Sequence, residues 1–121
     1  MKTLAFAAIA ALTLAVPAHA EDCEKAGSMS AVRACVYERF EQDLDAAYRP
    51  LHRNLSAKNP EAAALLQKSQ DSWTKFAADS CDFTARMNAN DMIESDARLN
   101  CHGEFAYARI KVLKAWAAKY K

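Results

Sequence analysis

Apolar residues recur every three or four positions along three long stretches of the chain, the spacing of one face of an α-helix. The first stretch, SMSAVRACVYERFEQDLDAAYRPLHRNL, carries a stripe made of Val36, Phe40, Leu44, Ala47, Leu51 and Leu55. Ser28 or Ser30 can cap its start by accepting hydrogen bonds from backbone N–H groups that have no partner within the helix. Pro50 lies inside the stripe, where its ring removes a hydrogen bond and crowds the preceding turn. The pattern therefore predicts a helix with a kink between Ala46 and Pro50, and a complete break there is the alternative.

The clearest boundary in the chain is the segment SAKNPEAA. Asn59 suits the N-cap of a helix, Pro60 the first helical position and Glu61 the positive end of the helix dipole. A second helix is predicted from Pro60 to about Arg86. Its inner face carries Leu66, Gln70, Trp73, Ala77 and Ser80, with Leu65 and Phe76 alongside.

The segment MNANDMIESD, residues 87–96, loses the helical stripe and is predicted to be a loop. Ser95 or Asp96 would cap a third helix through ARLNCHGEFAYARIKVLKAWAAKYK. Its predicted buried residues are Leu99, Ala106, Ile110, Leu113, Ala117 and Tyr120, with Phe105, Val112 and Trp116 beside them. Gly103 weakens the first turns by up to ~1 kcal/mol, so a start after His102 is the alternative.

The fold class that follows is all-α. Alternating β-branched runs are missing, and the full chain holds only two glycines and three prolines. No repeat or flexible linker divides the sequence after its first twenty residues. We expect a single small three-helix bundle over residues 21–121.

The first twenty residues are typical of a secretory signal peptide. Lys2 precedes the apolar run LAFAAIAALTLAV, and Pro17 and AHA follow it, so we expect cleavage after Ala20. A membrane anchor is the alternative, but the run is well short of the about 20 residues that span a bilayer. The mature chain is then expected in the periplasm or outside the cell, without a membrane anchor.

Four cysteines remain after such a cleavage, namely Cys23, Cys35, Cys81 and Cys101. An exported chain with an even number of cysteines usually oxidises them in pairs, so two disulfides are expected. Three pairings are possible. Local closure favours Cys23 with Cys35 at the first helix start and Cys81 with Cys101 across the long turn. No closely spaced ligand pair suggests zinc, and no metal or cofactor is expected.

Charge and side-chain chemistry narrow the function classes. Loss of Lys2 leaves 15 basic and 15 acidic side chains, a balance that argues against nucleic acid as a partner. The mature chain has two histidines, His52 and His102, and neither a phosphate loop nor a serine elbow. A cysteine nucleophile beside His102 is conceivable, but the adjacent Cys101 is expected to be oxidised. We therefore expect a protein that is not an enzyme.

Acidic side chains cluster in and near the predicted loop. Between residues 79 and 96 five acids stand against Arg86 alone, so this region could steer towards a basic protein partner. Ordinary compensation of helix dipoles is the alternative interpretation. The candidate partner-binding residues are Asn88, Asn90, Asp91, Met92, Glu94 and Asp96.

The stretch SQDSWTKFAADSC, residues 69–81, can also be interpreted either as a binding site or as part of the structural core. Leu66, Gln70, Trp73 and Ala77 line one helical face, which a chain of this size needs for its core. We interpret Trp73 as an anchor between helices. Gln70 would form a hydrogen bond with the indole N–H of Trp73 or with the backbone near Pro50.

The order of four cysteines with DLDAAYRPL, QDSWTKFAADSC and ARIKVL resembles the lysozyme-inhibitor LprI-like domain family of small secreted bacterial proteins. The resemblance extends from Cys23 to Leu113. Position by position, the motif residues of the family correspond to Asp43, Leu44, Tyr48, Gln70, Trp73 and Cys81. Asp45 stands where the family commonly has asparagine, and Ala77 and Ala78 stand where it has arginine and aspartate.

The resemblance implies a disulfide-linked helical domain and, as an activity, inhibition of a lysozyme-like muramidase. The hypothesis for this chain is a non-enzymatic binding protein whose acidic loop steers towards such an enzyme. One alternative is an immunity or accessory protein for another cell-wall enzyme or toxin. Another is an envelope structural or stress protein without a tight partner.

Overall fold

The structure is a computed structural model that describes residues 23–121, so the predicted signal peptide, residues 1–20, lies outside the described residues. A short 3₁₀ helix, Cys23–Lys25, precedes three long helices. These are α1, Met29–Lys58, α2, Pro60–Met87, and α3, Glu94–Lys119. They pack as an up-down-up bundle in which α1 and α3 both contact α2 and each other. The predicted all-α three-helix bundle is confirmed.

Two polar residues set the boundaries of α1 and α2. The Ser28 hydroxyl accepts from the Ala31 N–H at 3.1 Å, which caps the start of α1. Asn59 serves both helices, because its own N–H donates to the Leu55 carbonyl and its side-chain oxygen accepts from the Ala62 N–H. One asparagine therefore ends α1, starts α2 and reverses the chain direction.

The first helix passes through Pro50 without interruption, so the alternative of a break is wrong. Pro50 is exposed, whereas Ala47 and Leu51 on either side of it are buried. Packing of the buried face holds the helix together, and the missing hydrogen bond lies on the solvent side. The kink itself stays a prediction.

The start of α3 differs from both expectations. The helix begins at Glu94, with the Ile93 carbonyl accepting from the N–H groups of Asp96 and Ala97, and no side chain caps it. Asp96 is not a cap because its carboxylate binds Arg33 of α1. Glu94 and Asp96 instead lie in the first turn, where the helix dipole favours acids.

Gly103 lies inside α3 and does not delay its start, because the Phe40 ring of α1 packs against it. A Cβ at this position would lie 2.7 Å from Cζ of Phe40. The glycine thus lets α1 and α3 approach closely, and this contact compensates for its low helix propensity.

The core contains Leu44, Ala47, Leu51, Leu66, Ile110 and Leu113, with Tyr48, Leu55, Trp73, Trp116 and Ala117 packed against it. Trp73 is therefore the anchor that the sequence predicts. Four residues expected at or beside the inner faces are exposed instead, namely Leu65, Phe76, Val112 and Tyr120. Tyr120 follows the end of α3, and its carbonyl accepts from the Asn54 side chain.

Gln70 has a different partner from the one predicted. Its side-chain oxygen accepts from Nε of Arg109 at 3.0 Å, and the Ser69 hydroxyl accepts from Nη2 of the same residue. The Arg109 guanidinium carbon lies 5.3 Å from the centre of the Trp116 ring and 6.0 Å from that of Trp73. The motif residues thus hold a buried arginine. Of the other motif residues, Asp43 is exposed and Leu44 is buried.

Candidate functional site

The α2–α3 connection, residues 88–93, is a compact turn built around Asn88. The Asn88 carbonyl accepts from the N–H groups of Asp91 and Met92 at 3.0 and 3.1 Å. Its side-chain amide donates to the Thr84 carbonyl in the last turn of α2 at 2.8 Å. Asn88 therefore fixes the geometry of the turn, and Asn90 lies exposed within it.

Three of the six predicted partner-binding residues line one cavity. Asn88, Asp91 and Met92 surround a space of about 250 Å³. Residues of α3 close its other side, Glu104 among them. The Asp91 and Glu104 carboxylates form no ion pair with any described residue. This cavity therefore carries two uncompensated negative charges.

The other two acids of the predicted set are neutralised. Asp96 pairs with Nε of Arg33 at 2.5 Å, and Glu94 pairs with Nη2 of Arg98 at 3.1 Å. Arg98 also donates to Asp82 of α2 at 2.7 Å. These ion pairs link the three helices, so the acidic surface is smaller than the sequence alone predicts.

A second cavity, of about 350 Å³, lies where the first turns of α1 and α3 meet the last turns of α2. The His102 ring stacks on Tyr37 with ring centres 4.4 Å apart, and its Nε2 lies 2.8 Å from a Glu41 carboxylate oxygen. Burial of the hydroxyl raises the pKa of Tyr37, and the charge of Glu41 adds to the effect. This cavity has an apolar floor with paired charges at its rim.

Both disulfides are formed, Cys23 with Cys35 and Cys81 with Cys101, the pairs that local closure favours. Cys81 lines the second cavity and Cys101 lines the first, so their disulfide is the wall between the two. No free thiol remains among residues 23–121, and His102 has no cysteine to activate.

Sequence reasoning missed the residues that other elements bring to this end of the bundle. Glu104 completes the acidic cavity, and its only sequence signal is its position one helical turn after Asn100, another lining residue. Arg33 and Tyr37 come from α1, more than forty residues before the turn. No sequence feature indicated that they lie at the same end of the bundle as the turn.

The described part of the chain, residues 23–121, holds no group of three or more side chains that could bind a metal ion together. None of its helices is both long and apolar enough to cross a bilayer.

The Arg33–Asp96 pair predicts a pH dependence of stability. The hydrogen bond from Arg33 lowers the pKa of Asp96 below its ordinary value of 3.8. A carboxyl group with a lowered folded-state pKa contributes stability above its unfolded-state pKa and loses it as the pH falls through the folded-state value. We therefore expect Asp96→Asn to lower Tm at about pH 7, with the gap to wild type closing below about pH 4.

Thermal unfolding followed by circular dichroism from neutral to acidic pH measures this gap. Asp43→Asn is the matched control, because exposed Asp43 forms no ion pair with a described residue and its loss should leave Tm nearly unchanged. An Asp96→Asn gap of equal size at both ends of the pH range contradicts the prediction.

These features define a small, disulfide-linked, all-helical domain with an acidic turn at one end. The family model of the lysozyme inhibitor LprI matches residues 19–113 of the chain, so the protein belongs to this family. The match covers every motif on which the sequence resemblance rests. No curated protein sequence matches the chain significantly, and neither does any solved structure.

Proposed function

We propose that this protein is a non-enzymatic inhibitor of a lysozyme-like muramidase, acting in the periplasm or outside the cell after removal of residues 1–20. Membership of the lysozyme inhibitor LprI family is the observation that carries the proposal. The geometry adds a surface suited to the task, because the α2–α3 turn is exposed and presents the unpaired carboxylates of Asp91 and Glu104.

The two carboxylates supply electrostatic steering towards a basic enzyme. Complementary charge raises the rate of association more than it raises affinity, and salt weakens its effect. Glu94 and Asp96 contribute less, because Arg98 and Arg33 neutralise them. The steering charge is therefore centred on the turn and its cavity.

Asn90 is the residue best placed to enter the enzyme cleft. The Asn88 amide is bound to Thr84, and the Met92 sulfur accepts from the Asn100 side chain at 3.6 Å. Asn90 is exposed and has no hydrogen bond to a described residue. Muramidases act through paired carboxyl groups, and an inserted amide N–H₂ group can donate hydrogen bonds to them.

The Cys81–Cys101 disulfide supports this mode of inhibition by holding the turn in place. It joins the last turns of α2 to the first turns of α3, on both sides of residues 88–93. A turn that is already ordered loses little conformational entropy on binding, which favours affinity. Stable protein interfaces bury about 800 Å² per partner, so the neighbouring ends of α2 and α3 must also make contact.

Removing the two unpaired charges at the turn should distinguish their effect on the association rate from the effect of Asn90 on the dissociation rate. We expect Asp91→Asn with Glu104→Gln to slow association with a basic muramidase about tenfold at low salt, and the difference should shrink as salt screens the charges. Asn90→Ala should act mainly on dissociation. The measurements are hydrolysis of peptidoglycan by the enzyme and binding kinetics with the oxidised mature chain.

The matched control is Glu61→Gln with Asp71→Asn, which removes the same charge from α2. Asp71 lies about 24 Å along the helix from Met87, far from the turn. Equal slowing by both double variants would show that net charge, and not the turn, steers association. Failure of the wild-type chain to inhibit lysozymes of several classes at micromolar excess would sink the proposed function.

A further inference from the structure

A groove of about 600 Å³ lies at the other end of the bundle, where the α1–α2 junction meets the last turns of α3. Its floor includes the core leucines Leu51 and Leu66, and its walls include Leu65 and Trp116. Leu65 is 62% exposed although it lies beside the core. The groove has the size and the apolar lining of a small-molecule site.

Arg109 lies behind one wall of this groove without an acidic partner. The residue is 8% exposed, and its two hydrogen-bond acceptors, Gln70 and Ser69, are neutral. No carboxylate of residues 23–121 forms an ion pair with it. Burial lowers its pKa from the ordinary value, yet a guanidinium stays protonated in proteins. A buried, uncompensated positive charge is unusual, because buried charges are normally paired.

Two residues connect this charge to the groove. Ser69 and Trp116 both line the groove, and both contact Arg109, one through a hydrogen bond and the other through its ring face. Because the Ser69 oxygen accepts from Arg109, its own hydroxyl hydrogen is free to donate to a ligand. Lys58 lies at the opposite end of the groove, and no acidic residue lines it.

We propose that this groove binds a single-chain amphiphile with a carboxylate head group, such as a long-chain fatty acid. The carboxylate accepts from the Ser69 hydroxyl and provides the missing negative charge near Arg109. The acyl chain extends along Leu65 and Leu66 towards the α1–α2 junction, where the aliphatic part of Lys58 covers it. The site is independent of the proposed inhibition, which uses the opposite end of the bundle.

The first test is a chain-length and head-group series with the oxidised mature protein, below the critical micelle concentration of each probe. Titration calorimetry measures affinity, and tryptophan fluorescence follows Trp116 together with Trp73, the other tryptophan beside Arg109. Affinity should rise about 15-fold for each two methylenes from octanoate to decanoate to dodecanoate. Dodecanoate should bind at least about tenfold more tightly than neutral dodecanol. Equal affinity for the two, or no binding of dodecanoate, overturns the proposal.

Ser69→Asp is the decisive variant, because it places a carboxylate of the protein beside Arg109. It should abolish dodecanoate binding and leave dodecanol binding within about threefold of wild type. Ser72→Asp is the matched control, with the same change on an exposed position of α2, and should retain the preference for dodecanoate. Unchanged dodecanoate binding by Ser69→Asp contradicts the assigned position of the head group.

Leu65→Gln keeps the proposal testable if Ser69→Asp does not fold. This exposed residue can be replaced without disturbing the core, and its loss should weaken dodecanoate and dodecanol alike by about tenfold. Light scattering tests whether a second copy of the chain occupies the groove instead. A stable dimer that Leu65→Gln disrupts and that dodecanoate does not dissociate would assign the groove to a second copy and overturn the proposal.

Discussion

Replacement of Cys81 and Cys101 together by alanine is expected to lower the free energy of unfolding by about 3 kcal/mol and to abolish inhibition of a muramidase. The stability loss follows from the 20-residue separation of the two cysteines, because the disulfide restricts the unfolded chain. The functional loss follows from the position of the disulfide, which separates the two cavities and joins the helices on both sides of the turn. Urea unfolding and an inhibition assay measure the two effects.

The Cys23–Cys35 disulfide provides the control. It closes a loop with a separation of 12 residues, so its removal should cost a similar free energy, also about 3 kcal/mol. It ties the 3₁₀ helix to the first turns of α1 and does not join α2 to α3. Inhibition should therefore survive in Cys23→Ala with Cys35→Ala. Equal loss of inhibition in both double variants would mean that general stability, and not the geometry of the turn, decides activity.

Leu113→Ala is expected to lower the free energy of unfolding by about 2–5 kcal/mol, the usual range for deleting a buried leucine side chain. Leu113 is 0% exposed and lies in the core with Leu44, Leu51 and Leu66. Its removal leaves a cavity where all three helices meet, and a small domain is marginally stable to begin with. Urea unfolding at neutral pH measures the loss.

Val112→Ala is the comparison for this substitution. Val112 precedes Leu113 in the same helix but is 39% exposed, so its truncation should cost less than about 1 kcal/mol. A cost below about 1 kcal/mol for Leu113→Ala would contradict the central position of this side chain in the core.

Most of the fold could be predicted because its signals are local. Ser28 and Asn59 cap helices through side chains within three residues of the N–H groups that they bind. Pro60 can start a helix whatever surrounds it. The apolar stripes predicted the helices, and Leu44, Leu51, Leu66 and Leu113 of these stripes lie in the core. Two disulfides were predicted from an even number of cysteines in a chain that is expected to be exported.

Errors arose where a distant residue decided the local structure. Asp96 had the features of a helix cap, but Arg33 of α1 binds its carboxylate. Gly103 suggested a late helix start, but the Phe40 ring requires a residue without a Cβ there. Gln70 binds Arg109, which lies 39 residues further along the chain. None of these contacts has a signal at short sequence separation.

The candidate site likewise combines features that the local sequence predicts with features that depend on how the helices pack. The turn itself, with Asn88, Asn90, Asp91 and Met92, could be located from its composition. Its charge could not, because Glu94 and Asp96 are neutralised by arginines whose positions depend on how the helices pack. Glu104 joins the acidic cavity only because α3 brings it there.

By itself, the sequence determined the three helices, the caps of α1 and α2 and the family, because hydrophobic periodicity, cap chemistry and motif order are properties of neighbouring residues. Only the tertiary structure decided which acids remain unpaired, where the disulfide wall stands and that Arg109 is buried without a carboxylate partner. Ion pairing and burial depend on distances between residues far apart in the chain, and those distances exist only after the three helices have packed.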